Sequence, residues 1–317
     1  MTPSLRIIIV NWNSGEQLNQ CLASIEIAKK NDFSLSNICI VDNASHDNSI
    51  KGIEKHNLPI QIIKNEQNMG FAAACNQGAK GSQDDYLLFF NPDAQMYENS
   101  IEVAIAFMEK PANENVGIIG IQLLNDSGVP DRSCARFPTW GHFFVGIFGL
   151  DKLSSKWFPI HFMREWDHSE NRVVDHVMGS FYLVRRTLFE RLRGFDERFF
   201  VYLEDVDFSY RAWKEGWHSL YLTDAQAYHR GGGTSKQIKD KRLFYTLRSR
   251  IFYSYKHFSW WSATSIAFMT LFVEPITRII WAAMRLSGME MVNTLKGYFM
   301  LWRDLPMFLK EAWESEA

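Results

Sequence analysis

The chain has 317 residues, of which 46% are hydrophobic and 15% aromatic, so it can bury the core of one large domain or of a domain with an appendage. Its 34 basic and 36 acidic side chains nearly cancel, which argues against a nucleic-acid-binding protein. The four cysteines lack metal-ligand or close disulfide spacing, and no signal-peptide pattern opens the chain. We therefore expect reduced thiols in a cytoplasmic protein.

The first hundred residues alternate between short apolar runs and segments of helical periodicity. Strands are predicted at 6–10, 38–42, 60–63 and 86–90, and helices at 16–30, 49–56 and 71–80. Further along, strands are predicted at 116–124 and 180–184, and a helix that starts at Asp205. Such alternation is typical of the α/β class, with a mostly parallel sheet between helices.

The apolar run at 86–90 stops abruptly at Asn91-Pro92-Asp93. Because proline cannot continue a β-ladder, the backbone must leave the sheet there. Asp93 then lies just past the carboxyl end of a buried strand, where open α/β sheets bind ligands. A carboxylate at that place can bind a hard cation and, through it, phosphate oxygens, or it can simply cap a turn.

Polar residues also follow the first two strands. Asn11 and Asn13 come after the first, and Asp42 ends the second, so these side chains should share one edge of the sheet. Asp42 could accept hydrogen bonds from a pyrimidine ring N–H or from ribose hydroxyls.

A glycine turn precedes the helix predicted at 71–80. Gly70 allows a sharp turn between Asn68 and Phe71, and the free N–H groups of the helix start favour anionic or polar ligands. The spacing matches neither a dinucleotide fingerprint nor a phosphate loop, which argues against a hydride-transfer enzyme and a phosphate-loop NTPase.

Two clusters in the second half of the chain contain side chains suited to catalysis or metal binding. Glu204 and Asp205 open a helix, where the dipole keeps a carboxylate ionised, as a general base requires, although they could also be plain helix caps. His229 and Arg230 precede three glycines, so an imidazole suited to metal binding stands beside a loop able to close over phosphates.

Two regions lack a simple interpretation from periodicity. Residues 132–174 have no steady period, and we predict a long irregular excursion over the active face. Residues 258–273 carry no charge, and beyond them basic residues interleave with aromatic and aliphatic ones. This composition favours amphipathic helices at a membrane surface, with a packed helical subdomain or a dimer interface as the alternative.

Taken together, the motifs resemble those of a known family. Ile-Val-Asn-Trp-Asn, Val-Asp-Asn-Ala-Ser, Asn-x-Gly-Phe-Ala-x-Ala-x-Asn, Phe-Asn-Pro-Asp, Gly-Phe-Asp-Glu-x-Phe-Phe-x-Tyr-x-Glu-Asp-Val-Asp and His-x-Gly-Gly-x-Ser occur in order over about residues 5–257. They are similar to the GT-A glycosyltransferases of family 2, and within these most similar to bacterial rhamnosyltransferases of O-antigen and cell-wall polysaccharide assembly.

The resemblance implies an inverting transfer from a nucleotide-diphosphate sugar, most simply dTDP-L-rhamnose, with Mg²⁺ or Mn²⁺ as cofactor. It implies Asp205 as the general base, Asp42 as the contact to the base of the nucleotide, and Asp93 and His229 at the metal. The other implied nucleotide-sugar contacts are Asn11, Asn13, Asn68, Gly70, Phe71, Asn76, Asn91 and Arg230. Many GT-A enzymes have two carboxylates where this chain has only Asp93, so we expect weak metal binding without the nucleotide.

The acceptor implied by the resemblance is a lipid-linked saccharide at the inner face of the bacterial cytoplasmic membrane. Glu204, Arg248 and Arg250 are candidate acceptor contacts, the arginines through a diphosphate, although solvated helix charges explain the arginines equally well. We predict a catalytic domain at 1–257, with a nucleotide-sugar half at 1–125 and an acceptor half at 126–257, followed by an amphipathic helical region at 258–317. The alternatives are another dTDP- or UDP-sugar donor, a sugar nucleotidyltransferase, or a non-catalytic nucleotide-sugar-binding protein, and the oligomeric state stays open.

Overall fold

A computed structural model describes residues 2–29, 32–231 and 238–313. The chain divides into two compact units. The first comprises Met1–Arg136, Trp166–Glu197 and Glu204–Thr234, and the second comprises Phe137–Glu165, Arg198–Leu203 and Ser235–Ala317. The functional boundaries at 125 and 257 predicted from the sequence remain a prediction.

The strands all belong to the first unit. Numbered along the chain, they are β1 (Ser4–Asn11), β2 (Ser34–Asp42), β3 (Ile60–Lys64), β4 (Tyr86–Phe90), β5 (Ala94–Met96), β6 (Val116–Leu124), β7 (Cys134–Ala135), β8 (Arg172–Val174), β9 (His176–Val177), β10 (Phe181–Arg185) and β11 (His218–His229).

The helices occur in both units. Numbered along the chain, they are α1 (Gln17–Ala28), α2 (Phe71–Ala79), α3 (Ser100–Met108), α4 (Trp140–Phe148), α5 (Arg186–Arg191), α6 (Glu204–Lys214), α7 (Lys239–His257), α8 (Trp260–Phe268), α9 (Glu274–Met284) and α10 (Gly288–Trp313). Helices α4 and α7 to α10 lie in the second unit.

The first unit is built on a sheet with the strand order β3-β2-β1-β4-β10-β6-β11-β5, and β8 pairs with β11. The pairs formed among β1, β2, β3 and β4 are parallel, and so is the pair of β6 and β11. Strand β10 lies between β4 and β6 and is antiparallel to both. The start of β10 therefore lies beside the carboxyl end of β4. The predicted α/β class is confirmed.

The core explains why β1 and β4 form the centre of this sheet. All five residues of β4 are buried, as the unbroken apolar run predicts for a strand covered on both faces. In β1, alternate residues Ile7 and Ile9 belong to the same apolar cluster as Leu22 of α1 and Ile101 of α3. Helix α2 contacts β1 and β2 and contributes Ala74 to a separate small cluster.

Two local predictions from periodicity are wrong. The helix predicted at 49–56 is one short turn, Ile53–Lys55, because Gly52 just before it adopts a left-handed conformation with φ 83°. The irregular segment at 132–174 contains α4, which Thr139 caps at its start and Gly149 ends with φ 66°.

The second unit contains a buried charge cluster. Glu274 of α9 has no exposed surface, and its carboxylate forms ion pairs with Arg250 of α7 and Arg278 of α9. Although burial acts to raise the pKa of Glu274, these two guanidinium groups hold it below its usual value. Such a cluster is strongly destabilised when one partner is removed, so it links α7 to α9 firmly.

One helical segment among the described residues, Trp260–Met284, is long and apolar enough to cross a membrane. The segment has 25 residues, and its most apolar stretch of 18 residues has a mean hydropathy of 1.5 and is 39% buried within the protein. Core helices of soluble proteins meet the same two criteria, so the segment by itself is weak evidence for a span.

Replacement of Gly78 by alanine should destabilise the first unit. An added Cβ on this residue of α2 would lie 2.6 Å from Ile8 Cγ2 and 3.2 Å from Val41 Cγ2, in a packed layer with no room for it. We expect Gly78→Ala to lower the free energy of unfolding by about 1–3 kcal/mol in chemical denaturation. Gly146→Ala in α4 is the matched control, because a Cβ there meets nothing within 4 Å. Equal stabilities of the two variants would contradict the packing described.

Candidate active site

The end of β1 is tied to the end of β2 through a buried amide. Asn11 has no exposed surface, and its Nδ2 donates to Asp42 Oδ1 over 2.8 Å. The same nitrogen lies 2.9 Å from the Ser49 hydroxyl, while the Ser14 hydroxyl donates to Asn11 Oδ1. Because these bonds use the whole Asn11 amide, its visible role is to orient the Asp42 carboxylate.

Asn13 organises the loop that follows β1. Its φ of 50° is left-handed, which asparagine tolerates, and its N–H donates to the Ser45 hydroxyl over 3.0 Å. Its side-chain oxygen accepts from the His46 N–H at 2.8 Å. Asn13 therefore fastens the loop after β1 to the loop after β2 at the predicted rim.

The turn before α2 is built by two asparagines. Asn68 Oδ1 accepts from the Gly70 N–H and from Asn43 Nδ2, each over 2.9 Å. Gly70 has φ 88° and ψ 168°, a conformation suited to glycine, and α2 begins directly after it at Phe71. Asn43, which we did not select from the sequence, is 2% exposed and holds this turn against the end of β2.

Asn76 serves a different contact within the first unit. Its Nδ2 donates to the Phe195 carbonyl over 2.8 Å and to Glu197 Oε1 over 2.9 Å. Its Oδ1 accepts from the Phe195 N–H at 2.9 Å. The amide thus fastens α2 to the segment before α6, and its predicted contact with the nucleotide sugar remains a prediction.

Asp93 and His229 face each other across β5 and β11. His229 Nε2 lies 3.5 Å from Asp93 Oδ1, and its Nδ1 lies 3.8 Å from a carboxylate oxygen of Asp131. The pairing of His229 with Ala94 in the antiparallel ladder produces this approach, because it places the end of β11 beside the residue after Asp93. The two predicted metal residues are therefore neighbours.

Asp93 and His229 supply one hard oxygen and one imidazole nitrogen, a donor set that Mg²⁺ or Mn²⁺ accepts when phosphate or water completes the shell. Within the described part of the chain, no group of three or more His, Cys, Asp or Glu side chains could hold a metal ion. The side chains present therefore fit a cation that shares its ligands with a phosphorylated substrate.

A polar cavity of about 270 Å³ opens beside Asp93. Its lining includes Pro92, Asp93 and Arg230, and the Arg230 N–H donates to the Asp93 carbonyl over 3.2 Å. A guanidinium and a carboxylate around one polar cavity suit a ligand that bears phosphate and hydroxyl groups. The predicted loop glycines 232 and 233 lie outside the described residues.

Two consecutive residues before β10 join the metal residues to the predicted base. The Ser180 hydroxyl lies 3.2 Å from His229 Nε2 and accepts from Asn91 Nδ2 at 3.3 Å. The N–H of the preceding Gly179 donates to Asp205 Oδ2 over 3.1 Å. Gly179 and Ser180 are consecutive, and adjacent Cα atoms are about 3.8 Å apart. Asp205 and His229 are therefore bound by neighbouring residues of one peptide segment.

Asp205 is fixed through both carboxylate oxygens. Oδ1 accepts from the Val206 N–H at 2.8 Å, and Oδ2, besides the bond from Gly179, lies 3.5 Å from Nε2 of the buried His176. Burial acts to raise the pKa of Asp205, but His176 and the two N–H donors outweigh it, and the pKa lies below its usual value. The residue is therefore suited to the ionised form that a base requires.

Glu204 has the opposite electrostatic character. It is 4% exposed, and its Oε2 has no hydrogen-bond partner in the described structure. Burial and the neighbouring Asp205 charge raise the pKa of Glu204 well above its usual value. The pKa values of two adjacent carboxyl groups are thus shifted in opposite directions, as acid and base sites often require.

The two arginines chosen as acceptor contacts lie on α7 of the second unit. Arg250 is engaged with Glu274, while the Arg248 guanidinium lies over the Phe252 ring at 5.1 Å. Arg250 therefore has a structural role in the buried cluster, and the acceptor contacts of both arginines remain predictions.

Sequence reasoning missed the residues that support Asp205. His176, Gly179 and Ser180 occur in the run Asp-His-Val-Met-Gly-Ser, whose available signal was a glycine directly before the strand predicted at 180–184. A Cβ on Gly179 would lie 3.1 Å from Asp205 Oδ2, so the glycine allows the close approach.

The sequence matches the model of glycosyl transferase family 2 over residues 6–193. It is 27% identical over 279 residues to N-acetylglucosaminyl-diphospho-decaprenol L-rhamnosyltransferase of Mycobacterium tuberculosis, a match covering 83% of this chain and 88% of the relative. It is 29% identical over 175 residues to rhamnosyltransferase WbbL of Escherichia coli, covering 54% of this chain and 62% of the relative.

Among solved structures, the mannosyltransferase PcManGT of Pyrobaculum calidifontis in complex with GDP-Man and Mn²⁺ has the same fold. The TM-score is 0.54 at 14% identity, and the match covers 96% of this chain and 88% of the other. The predicted GT-A fold is confirmed, as is the resemblance based on the motifs. The protein belongs to glycosyl transferase family 2 and is a rhamnosyltransferase-like glycosyltransferase.

Proposed function

We propose that this glycosyltransferase transfers L-rhamnose from dTDP-L-rhamnose to a lipid-diphosphate-linked saccharide, with inversion, in the assembly of a bacterial surface polysaccharide. The names of the M. tuberculosis and E. coli relatives support the sugar, and the first of them also supports an acceptor on a lipid diphosphate. Another dTDP- or UDP-sugar is the nearest alternative donor.

The observation on which the mechanism rests is the junction at Gly179 and Ser180. It holds the ionised Asp205 on one residue and His229, the partner of Asp93, on the next. A single displacement needs a base near the attacking hydroxyl and positive charge near the leaving group. This segment supports both requirements from one place in the first unit.

Donor binding is assigned to the rim formed by the ends of β1, β2 and β4. Asp42, oriented by Asn11, would accept hydrogen bonds from the thymine ring or the ribose. Asp93 and His229 would hold Mg²⁺ or Mn²⁺ together with the diphosphate, and the exposed Arg230 would contact its oxygens. A cation bound there would neutralise charge that develops on the departing nucleotide diphosphate.

Asp205 acts on the acceptor. Its carboxylate takes the proton from the acceptor hydroxyl as that oxygen bonds to the anomeric carbon and the bond from this carbon to the diphosphate oxygen breaks. Burial raises the pKa of Glu204, and in its protonated form this residue can donate a hydrogen bond to an acceptor oxygen. Asp205 therefore acts as the base, and Glu204 positions the acceptor.

The donor assignment predicts a clear preference in a substrate panel. With Mg²⁺ or Mn²⁺ and a synthetic lipid-diphosphate GlcNAc acceptor, we expect kcat/KM for dTDP-L-rhamnose to exceed that for UDP-hexoses by about tenfold or more, because the two donors differ in both the sugar and the base. Product formation is measured by mass spectrometry, and chelation by EDTA should stop it. Turnover of UDP-hexoses without turnover of dTDP-L-rhamnose would contradict the donor assignment and leave the glycosyltransferase class unchanged.

The role of Asp205 predicts a loss of chemistry without a loss of binding. Asp205→Asn keeps the shape of the side chain but removes the basic carboxylate, and we expect kcat to fall by about 10²–10⁴-fold. Calorimetry should show donor binding within about threefold of the wild type, since the donor contacts lie elsewhere. Asp224→Asn, the same change at an exposed residue, is the control. Wild-type kcat in Asp205→Asn would exclude Asp205 as the base.

We also propose that the second unit binds the surface of a lipid bilayer. In residues 260–284, large apolar side chains recur every fourth position, each with 52–68% of its surface exposed: Phe268, Phe272, Ile276, Ile280 and Met284. Arg285 and Lys296 are exposed nearby in the chain. Exposed apolar side chains together with basic ones suit the headgroup region of an anionic membrane, where a lipid-linked acceptor would reside.

Substitution of this stripe should weaken membrane binding. We expect the triple variant Phe272→Gln, Ile276→Gln, Ile280→Gln to float with phosphatidylglycerol-containing liposomes much less than the wild type, because apolar area no longer enters the bilayer. The control carries glutamine at Ile27, Ile62 and Val173, which are exposed apolar residues of the first unit. Light scattering without lipid distinguishes the alternative, since a dimer interface predicts a wild-type dimer that the triple variant loses.

A further inference from the structure

His176 and Asp205 form an unexpected pair at the proposed catalytic centre, which makes this inference dependent on the proposed function. His176 lies on the short strand β9 and is 3% exposed, whereas Asp205 lies in the first turn of α6. Nε2 of the ring lies 3.5 Å from Asp205 Oδ2. Nothing in the local sequence of either element requires this contact, because 28 intervening residues separate them.

A buried hydrogen-bond chain fixes the orientation of the His176 ring. Its Nδ1 lies 3.2 Å from the Ser209 hydroxyl, and that hydroxyl lies 2.7 Å from the Tyr182 hydroxyl. Ser209 is 1% exposed and Tyr182 is fully buried. Since all three groups are excluded from water, their hydrogens must be shared among themselves and Asp205.

The partners of the two ring nitrogens indicate which of them carries a hydrogen toward Asp205. A nitrogen lone pair directed at a carboxylate would be repelled, so Nε2 bears a hydrogen and points it at Asp205. Nδ1 is engaged by the Ser209 hydroxyl, and the Tyr182 hydroxyl, besides its contact with Ser209, lies 3.4 Å from the Asp205 carbonyl oxygen. Both ring nitrogens are therefore engaged, and the ring is held with one edge toward the carboxylate.

We propose that His176 is the positioning residue of this enzyme, which holds the Asp205 carboxylate in the rotamer from which it acts as the general base. The ring acts together with the Gly179 N–H on the same oxygen, Oδ2, while Oδ1 is turned toward the Val206 N–H. The separation of 3.5 Å is long for a hydrogen bond, and such contacts commonly shorten when the substrate is bound.

The side chains near Asp205 differ in their effect on the pKa of its carboxyl group. The titratable side chains that interact with Asp205 come from α2, β9, β10 and α6, and they are Cys75, His176, Tyr182 and Glu204. Asp207, which acts on Glu204 and Tyr182, forms an ion pair with Arg211 at 2.8 Å, and burial raises the pKa of Glu204. His176 makes the largest contribution that lowers the pKa of Asp205.

The sign of the pH effect follows from this arrangement. His176 lowers the pKa of Asp205, so the wild-type base stays ionised down to a lower pH. Without the ring, burial dominates and the pKa of Asp205 rises. Activity that needs the ionised base must then be lost at a higher pH as the solution is acidified.

The decisive experiment compares pH profiles of His176→Phe and His176→Gln with the wild type, using the acceptor and donor of the panel above. For His176→Phe we expect the acidic limb of kcat/KM to move up by about one pH unit, which is about a tenfold loss at a pH on that limb and a loss within about threefold near pH 8.5, where Asp205 is ionised in both enzymes. His176→Gln keeps an N–H near the position of Nε2 and should restore most of the profile. A uniform loss at every pH, with an unmoved limb, would overturn the proposal.

A second measurement separates this inference from the proposed function. Carboxyl ¹³C NMR of aspartate-labelled protein, with the Asp205 signal identified by its loss in Asp205→Asn, reports the titration of Asp205 without any substrate. An upward shift in His176→Phe supports the pairing even when no donor in the panel is turned over, and an unchanged midpoint rejects it even in an active enzyme. His56→Asn, which removes a histidine from the partly exposed pair with Glu26, is the matched control and should leave the Asp205 midpoint in place.

Discussion

The antiparallel insertion of β10 between β4 and β6 is the constraint on which the site depends. In a parallel sheet, only carboxyl ends meet at the ligand-binding edge. Because Phe181 pairs with Phe90, the start of β10 also reaches that edge, and the residues before it arrive beside Asn91. Gly179 and Ser180 can therefore support Asp205 and His229, which belong to α6 and β11 and would otherwise share no peptide segment.

The site also depends on how burial is distributed between neighbouring carboxyl groups. Glu204 and Asp205 differ in the number of donors that each one meets, rather than in depth alone. Asp205 receives two backbone N–H groups and faces an imidazole, whereas Oε2 of Glu204 has no partner in the described structure. One sequence motif at a helix start thus combines a carboxyl group of raised pKa with one of lowered pKa, because tertiary contacts from β9 and the segment before β10 reach Asp205.

Sequence reasoning predicted the parts of the fold that local patterns determine. The apolar run of β4, the glycine at Gly70 and the acidic start of α6 each specify their own conformation, and motif order then identified the family. Sequence reasoning could not find contacts whose partner is distant in sequence. No local pattern indicated that the Asn76 amide would bind the Phe195 backbone or that Asp205 would lie opposite His176, and the nucleotide-sugar contact of Asn76 remains a prediction.

The four cysteines, Cys21, Cys39, Cys75 and Cys134, are all unpaired and buried. Burial is the largest influence on each thiol and raises its pKa, so none is present as a reactive thiolate near neutral pH. A single cysteine introduced at an exposed position would consequently be the one readily alkylated group in the folded enzyme. The natural protein is therefore ready for attachment of one fluorophore or spin label, for example on α9, without prior removal of its own thiols.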